Sequence, residues 1–510
     1  MQCSYAISRR RFLGMTTALS AGTILAAREL LGMHAPGAGW DPDRPLFTLR
    51  RPLRLQPVLM YRVAVPRPET SWKSWGGVQT DAAAAEEAAR IGDELKLLAE
   101  RAEFPVDVAP VVLVRSADEA RALAETACDA RVVYPASGGG EVLRACLTGA
   151  PNVLVFMRRR SGPVYYWYEA LSSRYLATAD GPTSPGAAPA ADAPLAHVDD
   201  VVVDDPDELL WRLRAIAAVR DLRGTRIVAL GGAWGKYSAD APAVARERFG
   251  LTIDEVSYEA FGPRLEQALA DPAMRRRAES WTDRYLALPG TSLATEREFV
   301  VRAFVLYALF RELMEEREAT AFTIKSCMGT IIPMSKTTAC LTLGLLNDEG
   351  WLAFCESDFV IIPAGILLRY VSSRPVFLHN STFPHAGEVT CAHCTCPRRL
   401  DGRTYEPALL TTHYESEYGA APKVDMPLGQ EVTFLDPEYS VARWLGFKGV
   451  VRGNPAYEIC RSQQDVEILG DWRKLLAEAR DSHWMMAYGD WLRESRYAAR
   501  KLGIQWVGLA

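Results

Sequence analysis

Buried strands alternate with amphipathic helices through the first half of this chain, and this alternation limits the possible folds more than any other feature. Apolar runs at 58–65, 131–135 and 152–157 have the length and residue types of strands. A helical stripe of alanine and leucine at 81–101 separates the first two runs. The strand, helix, strand order returns at 226–257. Because strands that alternate with helices form parallel sheets, we expect a Rossmann-like sheet in each region.

Changes in composition divide the chain into five segments. An Ala/Pro-rich run at 178–199 is typical of a flexible linker or insertion. It separates a first Rossmann-like domain at 41–177 from a second at 200–320. Shorter strand patterns and glycine turns then predict a C-terminal mixed α/β domain at 321–510, with an antiparallel barrel-like lobe. The predicted fold class is therefore α/β, with residues 1–40 set apart as an N-terminal segment.

The N-terminal segment has the pattern of a targeting signal. An arginine run at 9–11 precedes Phe12 and Leu13, and an uncharged, mildly apolar run follows at 15–27. This pattern resembles a twin-arginine export signal and predicts a periplasmic or extracellular protein; an ordinary basic N terminus is the alternative. The run is too short to cross a bilayer, and no other stretch reaches about 18 apolar residues, so no membrane span is expected.

Charge and cysteine content exclude two further classes. The chain has 58 basic and 63 acidic residues and a net charge of −5, so it lacks the basic surface of a nucleic-acid-binding protein. Ten cysteines are present. Without Cys3 an odd number remains, and the spacing is not that of a disulfide framework. Most lie within or beside apolar runs, which predicts buried free thiols.

Residues 322–400 carry the densest set of chemically active side chains. The stretch holds six of the ten cysteines and three of the seven histidines. It also holds Glu356 and Asp358, which follow a short apolar strand pattern at 352–355. Ligand-binding groups collect at the carboxyl ends of parallel strands, so we expect a site at this point. The alternative is a pair of surface carboxylates at a strand end.

Four segments in this half of the chain resemble a known family. They are LLNDEGWLAFCESD at 345–358, SSRPVFLHNSTF at 372–383, AHCTCPRRL at 392–400 and HWMMAYGDWLRE at 483–494. Together they are similar to the C-terminal half of the L-fucose isomerase-like proteins. The resemblance implies a fucose isomerase-like fold and metal-dependent conversion of an open-chain aldose or deoxy sugar to a ketose through an enediol.

The resemblance also implies roles for individual residues. Asp358 and His483 match the aspartate and histidine metal ligands of the family, and Asp358 is the expected acid/base. The implied cofactor is Mn²⁺, with Mg²⁺ or Zn²⁺ as alternatives. Lys325 and His393 are the implied substrate contacts.

Family members are commonly trimers or hexamers that place an aromatic residue of one subunit over the active site of the next. The partners implied for this chain are therefore a small sugar and further copies of itself. In a glycine-rich loop, Trp72 or Trp75 matches the role of the aromatic residue. Packing within their own domain is the alternative for these two tryptophans.

One departure from the family separates three hypotheses. Catalytic members carry a glutamate shortly after the position of Lys325, but residues 326–335 of this chain contain no acid. In the first hypothesis Glu356 replaces that glutamate as metal ligand and base. In the second, the chain binds sugar without catalysis. In the third, Cys327 or Lys325 supports a different metal reaction, such as lyase or epimerase chemistry.

A cysteine cluster in the same stretch has three possible states. Cys391, Cys394 and Cys396 surround His393, and His385 lies nearby. The spacing is compatible with a zinc site, but the second ligand pair that zinc sites usually bring is absent. A disulfide and buried free thiols are the alternatives.

Overall fold

The computed structural model describes residues 39–47, 50–165, 167, 176–177 and 196–509. Most of the predicted export signal and of the predicted linker therefore lies outside the described residues. No helix in the described part of the chain is both long enough and apolar enough to cross a membrane.

The first described region is a parallel sheet with helices packed against it. Its elements are β1 (Leu53–Met60), α1 (Asp81–Arg101), β2 (Val106–Val108), β3 (Val112–Val114), α2 (Ala117–Ala122), β4 (Ala130–Pro135), α3 (Gly140–Cys146), β5 (Val153–Met157), the short pair β6 (Leu176–Ala177) and β7 (Ala196–His197), and β8 (Val201–Val203). The strand order is β2-β1-β4-β5-β8, with β3 also paired to β1. Helix α1 begins where the Thr80 hydroxyl accepts a hydrogen bond from the Ala83 amide at 3.1 Å. Its buried stripe of Ala84, Ile91, Leu95 and Leu98 covers the sheet.

A second parallel sheet follows. Its region contains α4 (Pro206–Arg223), β9 (Arg226–Leu230), α5 (Ala241–Glu247), β10 (Thr252–Val256), α6 (Tyr258–Ala270), α7 (Pro272–Leu286), β11 (Thr291–Leu293), α8 (Arg297–Glu316), β12 (Ala321–Ile324), α9 (Cys327–Ser335), α10 (Cys340–Glu349), β13 (Leu352–Phe354) and α11 (Ile362–Ser372). The strand order is β10-β9-β12-β13, and all three pairings are parallel. This sheet continues past position 320, where the sequence predicted a domain boundary, because β12 pairs directly with β9.

The C-terminal region closes into a barrel. It contains β14 (Phe377–Ser381), β15 (Glu388–His393), β16 (Ala408–His413), β17 (Tyr418–Val424), β18 (Glu431–Pro437), β19 (Arg443–Gly453), β20 (Ser462–Leu469), α12 (Trp472–Glu478), β21 (His483–Tyr488), α13 (Leu492–Lys501) and β22 (Gln505–Gly508). Strands β18-β21-β14-β15-β20-β19 pair in antiparallel fashion, and β19 returns to β18. The prediction of parallel sheets followed by an antiparallel barrel is confirmed. A smaller sheet, β11-β16-β17, lies beside it.

The structure corrects one element that carries a site residue. We predicted a terminal helix over 481–501 with His483 on it, but His483 begins strand β21 and the helix α13 begins at Leu492. All six residues of β21 are buried, so the strand shows no alternation of apolar and polar residues. Gly489, in the left-handed conformation at φ 99°, separates strand from helix.

Helix α11 lies where the second sheet meets the barrel, and Gly365 permits the close contact. A Cβ atom at this position would lie 2.7 Å from Phe354 Cε1 on β13 and 2.4 Å from Met485 Cε on β21. Strand β13 leads to Glu356, and strand β21 begins at His483. The missing side chain at Gly365 therefore helps to bring the two halves of the candidate site together.

We expect Gly365→Ala to lower the free energy of unfolding by about 1–3 kcal/mol, because the methyl group overpacks this junction. Urea unfolding of both proteins measures the difference. Gly329→Ala is the matched control: Gly329 also lies in a helix, but a Cβ there meets nothing within 4 Å. Equal stability of Gly365→Ala and the wild type would contradict the packing argument.

Candidate active site

Polar residues that follow three neighbouring parallel strands lie at one edge of the second sheet. Trp234 and Lys236 follow β9, Lys325 follows β12, and Glu356 and Asp358 follow β13. Since the strands are parallel and adjacent, their carboxyl ends meet at this edge. The prediction that the carboxylates would follow a short strand is confirmed by the position of β13.

The loop after β13 has an unusual backbone that neighbouring residues hold in place. Glu356 and Ser357 have φ angles of 65° and 52°, a left-handed conformation that costs non-glycine residues energy. The indole N–H of Trp234 donates to the Glu356 carbonyl oxygen. The Ser357 amide donates to the Thr323 hydroxyl at 3.1 Å, and the Phe359 amide donates to the Trp234 carbonyl at 2.9 Å. These bonds fix the direction of the two carboxylates.

Asp358 joins the sheet to the barrel. Its side chain is completely buried. Its Oδ1 accepts hydrogen bonds from the amides of Lys236 at 2.9 Å and Val360 at 3.1 Å. Its Oδ2 lies 2.7 Å from Nδ1 of His483, which is also completely buried. The carboxylate therefore sets the ring orientation of His483 and holds the proton on Nδ1.

Glu356 lies between two histidines. One carboxylate oxygen is 3.4 Å from Nε2 of His483, and the other is 3.6 Å from Nε2 of His393. His393 ends strand β15, and its Nδ1 is 3.0 Å from the Thr395 hydroxyl. The Glu356 side chain is 38% exposed, whereas those of the two histidines are nearly or fully buried. Glu356 is therefore the member of this group that a ligand reaches most easily.

The ion pairs determine the charge states. Burial alone would lower the pKa of His483, but the bonds to Asp358 and Glu356 outweigh burial and raise its pKa to about 9. Burial would raise the pKa of Glu356, but hydrogen bonds to His393 and His483 hold this pKa well below its usual range. At neutral pH the arrangement is a carboxylate, an imidazolium and a second carboxylate in series.

Lys236 gives Nε2 of His483 a second partner. The Lys236 ammonium nitrogen is 3.4 Å from Nε2, the atom that also faces Glu356. An imidazolium donates its Nε2 proton to Glu356, while a neutral imidazole accepts a bond from Lys236. Loss or gain of one proton therefore changes which of the two neighbours Nε2 of His483 bonds to.

The raised pKa of His483 predicts a pH-dependent contribution to stability. The pKa rises from 6.5 to about 9, so this contribution is fully present below about pH 6.5 and is lost as pH rises through about 9. We expect about 1–3 kcal/mol. Urea unfolding of the wild type and His483→Gln at about pH 6 and about pH 10 measures it, and other titrating groups largely cancel in the comparison. Parallel pH profiles for the two proteins would contradict the expectation.

A cavity of about 570 Å³ opens beside this group. Its walls include the predicted site residues Lys325, Glu356 and His393. Asp358 and His483 are not among the lining residues. His483 lies behind Glu356, and Asp358 lies behind His483. The volume is within the range of small-molecule sites.

The structure does not bring every predicted residue to this cavity. Trp72 and Trp75 are not among its described lining residues, and Trp75 is 68% exposed. The aromatic side chain in the wall is Trp234, which the sequence did not single out as functional. Lys325 lies 5.9 Å from the centre of its ring. The available signal was the glycine pair at 231–232, which follows strand β9 and precedes Trp234 and Lys236 by a few residues.

The cysteine cluster separates into two environments. Cys391 and Cys396 lie in the apolar core of the barrel and are completely buried. Cys394 instead packs with Cys340 and Cys460, which are distant in sequence, and all three line the cavity. His385, the remaining histidine of the hypothetical zinc site, is exposed and bonds to the Phe383 carbonyl. All nine described cysteines are free thiols.

The family resemblance implies a divalent metal, which needs free oxygen or nitrogen ligands among these side chains. Asp358 offers it no free oxygen, because backbone amides and His483 engage both. The Glu356 carboxylate and Nε2 of His393 and His483 do face one another, and this is a donor set that divalent metals use. A carboxylate on the far nitrogen of a ligating histidine, as Asp358 is here, is the usual outer-shell partner. The residues therefore fit a metal held by Glu356, His393 and His483.

The fit still requires side-chain movement. Among the described residues, no three His, Cys, Asp or Glu side chains already stand in the arrangement of a metal site. The ring centres of His393 and His483 are 6.5 Å apart.

No protein-family model matches the chain, and no curated protein matches it.

Proposed function

We propose that this protein is a sugar isomerase-like enzyme that moves a proton between adjacent carbons of an open-chain aldose or deoxy sugar. The supporting observation is the convergence of Glu356, His393 and the buried Asp358–His483 pair beside a cavity of about 570 Å³. These residues come from different parts of the chain. Isomerisation through an enediol needs a carboxylate within reach of the sugar that takes a proton from one carbon and returns it to the next.

Glu356 is the proposed proton carrier. Its exposed carboxylate takes the proton from one sugar carbon and returns it to the next. A sugar bound over Glu356 excludes water and weakens its bonds to the histidines, which raises the low pKa of this carboxylate toward that of a useful base. His483, fixed by Asp358 and protonated at neutral pH, stabilises the charge on Glu356.

The remaining wall residues bind and orient the sugar. Lys325 can donate hydrogen bonds to hydroxyl or carbonyl oxygens, and His393 can do so when no metal is bound to its Nε2. The Trp234 ring offers an apolar face to the sugar C–H groups. The proposed cofactor is a divalent metal, in first place Mn²⁺, held by Glu356, His393 and His483. When bound, the metal polarises the sugar carbonyl.

We also propose that the protein is exported by the twin-arginine route and assembles as a trimer or hexamer. In such an assembly Trp72 or Trp75 of one subunit would cover the cavity of the next. Size-exclusion chromatography with light scattering measures the assembly. A monomer at micromolar concentration would contradict this part of the proposal.

A second function has a specific observation in its favour. Residues Ser326, Cys327, Met328 and Gly329 form the cavity wall where the family carries its glutamate, and none of them can act as a carboxylate base. This favours a protein that binds sugar without converting it. Both functions predict sugar binding, and they differ only in turnover.

A substrate panel separates the two functions. The purified protein is incubated with Mn²⁺ and with pairs of aldoses and ketoses, and both binding heat and interconversion are measured. Our proposal predicts interconversion of at least one pair. Binding without interconversion would support the second function, and absence of any binding would contradict both.

A further inference from the structure

The cavity beside the acid–base group is also lined by several thiols. Five of the nine described cysteines line this cavity: Cys327, Cys340, Cys355, Cys394 and Cys460. More than half of the described cysteines therefore lie at this one cavity.

Three of these thiols form a cluster of their own. Cys340, at the start of α10, packs with Cys394, which follows β15, and with Cys460, which precedes β20. Ala421 is the remaining buried member of this small cluster. Cys391 and Cys396, by contrast, are surrounded by the large apolar side chains of the barrel core. Packing in the apolar core explains Cys391 and Cys396. It does not explain the cluster of Cys340, Cys394 and Cys460.

The surroundings of Cys394 are those of a sulfur ligand. The backbone N–H of Arg461 donates to its Sγ at 3.4 Å, and hydrogen bonds of this kind tune sulfur ligands in metal centres. Cys394 is 2% exposed and Cys340 is 7% exposed, while Cys460 is partly exposed. A metal ion could thus enter from the cavity, past Cys460.

We propose that Cys340, Cys394 and Cys460 form a binding site for a soft metal ion of the Zn²⁺, Cd²⁺ or Cu⁺ type, separate from the acid–base group. Three thiolates are donors that soft ions prefer over oxygen ligands. The thiols are in contact but not yet arranged about one point. Rotation of their short side chains, with the cavity leaving room for a further ligand, completes the site. The proposal is independent of sugar isomerisation, since none of the three thiols moves a proton in it.

The test is a titration of the reduced full-length protein with Cd²⁺, followed through the sulfur-to-metal charge-transfer absorption in the ultraviolet. We expect one ion per chain. Cys394→Ser should abolish the absorption, and Cys340→Ser or Cys460→Ser should weaken binding at least about tenfold. Cys128→Ser, in the first sheet region, is the matched control and should bind like the wild type. The same titration of His483→Gln should also be unchanged, which separates this site from the acid–base group.

A measurement on the wild type alone covers the case in which a variant fails to fold. The protein is alkylated with N-ethylmaleimide with and without Cd²⁺, and the modified cysteines are mapped by mass spectrometry. We expect Cd²⁺ to protect Cys460, the partly exposed member of the three, from modification. Absence of charge-transfer absorption in the reduced wild type, equal absorption in all variants, or protection confined to other cysteines would overturn the proposal.

Discussion

Asp358→Asn should lower the pKa of His483 from about 9 and reduce turnover by about 10²–10⁴-fold. The carboxylate is the hydrogen-bonded partner of Nδ1, so its removal leaves only Glu356 to oppose burial, which lowers the pKa of His483. An asparagine amide can also donate to Nδ1, which favours the wrong tautomer. NMR titration of the His483 ring measures the pKa, and assays with an active sugar measure the rate.

Lys236→Met is the matched control for this prediction. The Lys236 charge opposes protonation of His483, so its removal should raise the pKa of His483, opposite to the effect of Asp358→Asn. A pKa of His483 that stays near 9 in Asp358→Asn would contradict the assigned pairing. Turnover of Asp358→Asn at the wild-type rate would contradict it as well.

Glu356→Gln should reduce turnover by about 10²–10⁴-fold while sugar binding changes little. The amide keeps the shape of the side chain, but it has one acceptor oxygen in place of two and cannot carry a proton. It also removes one of the two carboxylates that raise the pKa of His483, so that pKa should fall as well. Calorimetry and steady-state rates on the same sugar separate binding from catalysis. Glu415→Gln, at another carboxylate of the cavity wall, is the control and should retain turnover.

Full activity of Glu356→Gln would show that another group carries the proton. The third sequence hypothesis names Cys327 and Lys325 for this role, and both line the cavity. Burial raises the pKa of Cys327 to about 11, so its thiol is protonated at neutral pH and unsuited to act as a base. This favours Glu356 over Cys327.

The architecture was predictable where a local pattern determines it. The parallel sheets follow from apolar strands that alternate with helices such as α1, and these patterns need no knowledge of distant contacts. Strand β21 was predicted wrongly as helix. One face of β21, with Trp484 and Met486, lies in the barrel core, and the other, with Met485, packs against helix α11, so no alternation marks it as a strand.

The site was predictable only in part. Glu356 and Asp358 were found because they follow a strand, and His393 and His483 because of the family resemblance. Trp234 and Lys236 were missed, since their place at the site depends on the β9-β12-β13 strand order and on the bridge between Trp234 and Asp358. That order is a property of the whole sheet and has no local signature.

The grouping of the thiols also depends on contacts between distant parts of the chain. Close spacing pointed to Cys391, Cys394 and Cys396 as one group, but β15 ends near His393 and the chain then turns. Cys394 meets Cys340 and Cys460, which arrive from α10 and from the segment before β20. Spacing in sequence identified one member of the cluster and the wrong neighbours.

The most direct test of the central claim is hydrogen exchange at the sugar carbons in D₂O. The wild-type protein is incubated with each sugar of the panel, and deuterium at C1 and C2 is followed by NMR, with Glu356→Gln in parallel. We predict that the wild type introduces deuterium into at least one sugar and that Glu356→Gln does not. Equal exchange by both proteins, or sugar binding with no exchange in any member of the panel, would contradict proton transfer by Glu356.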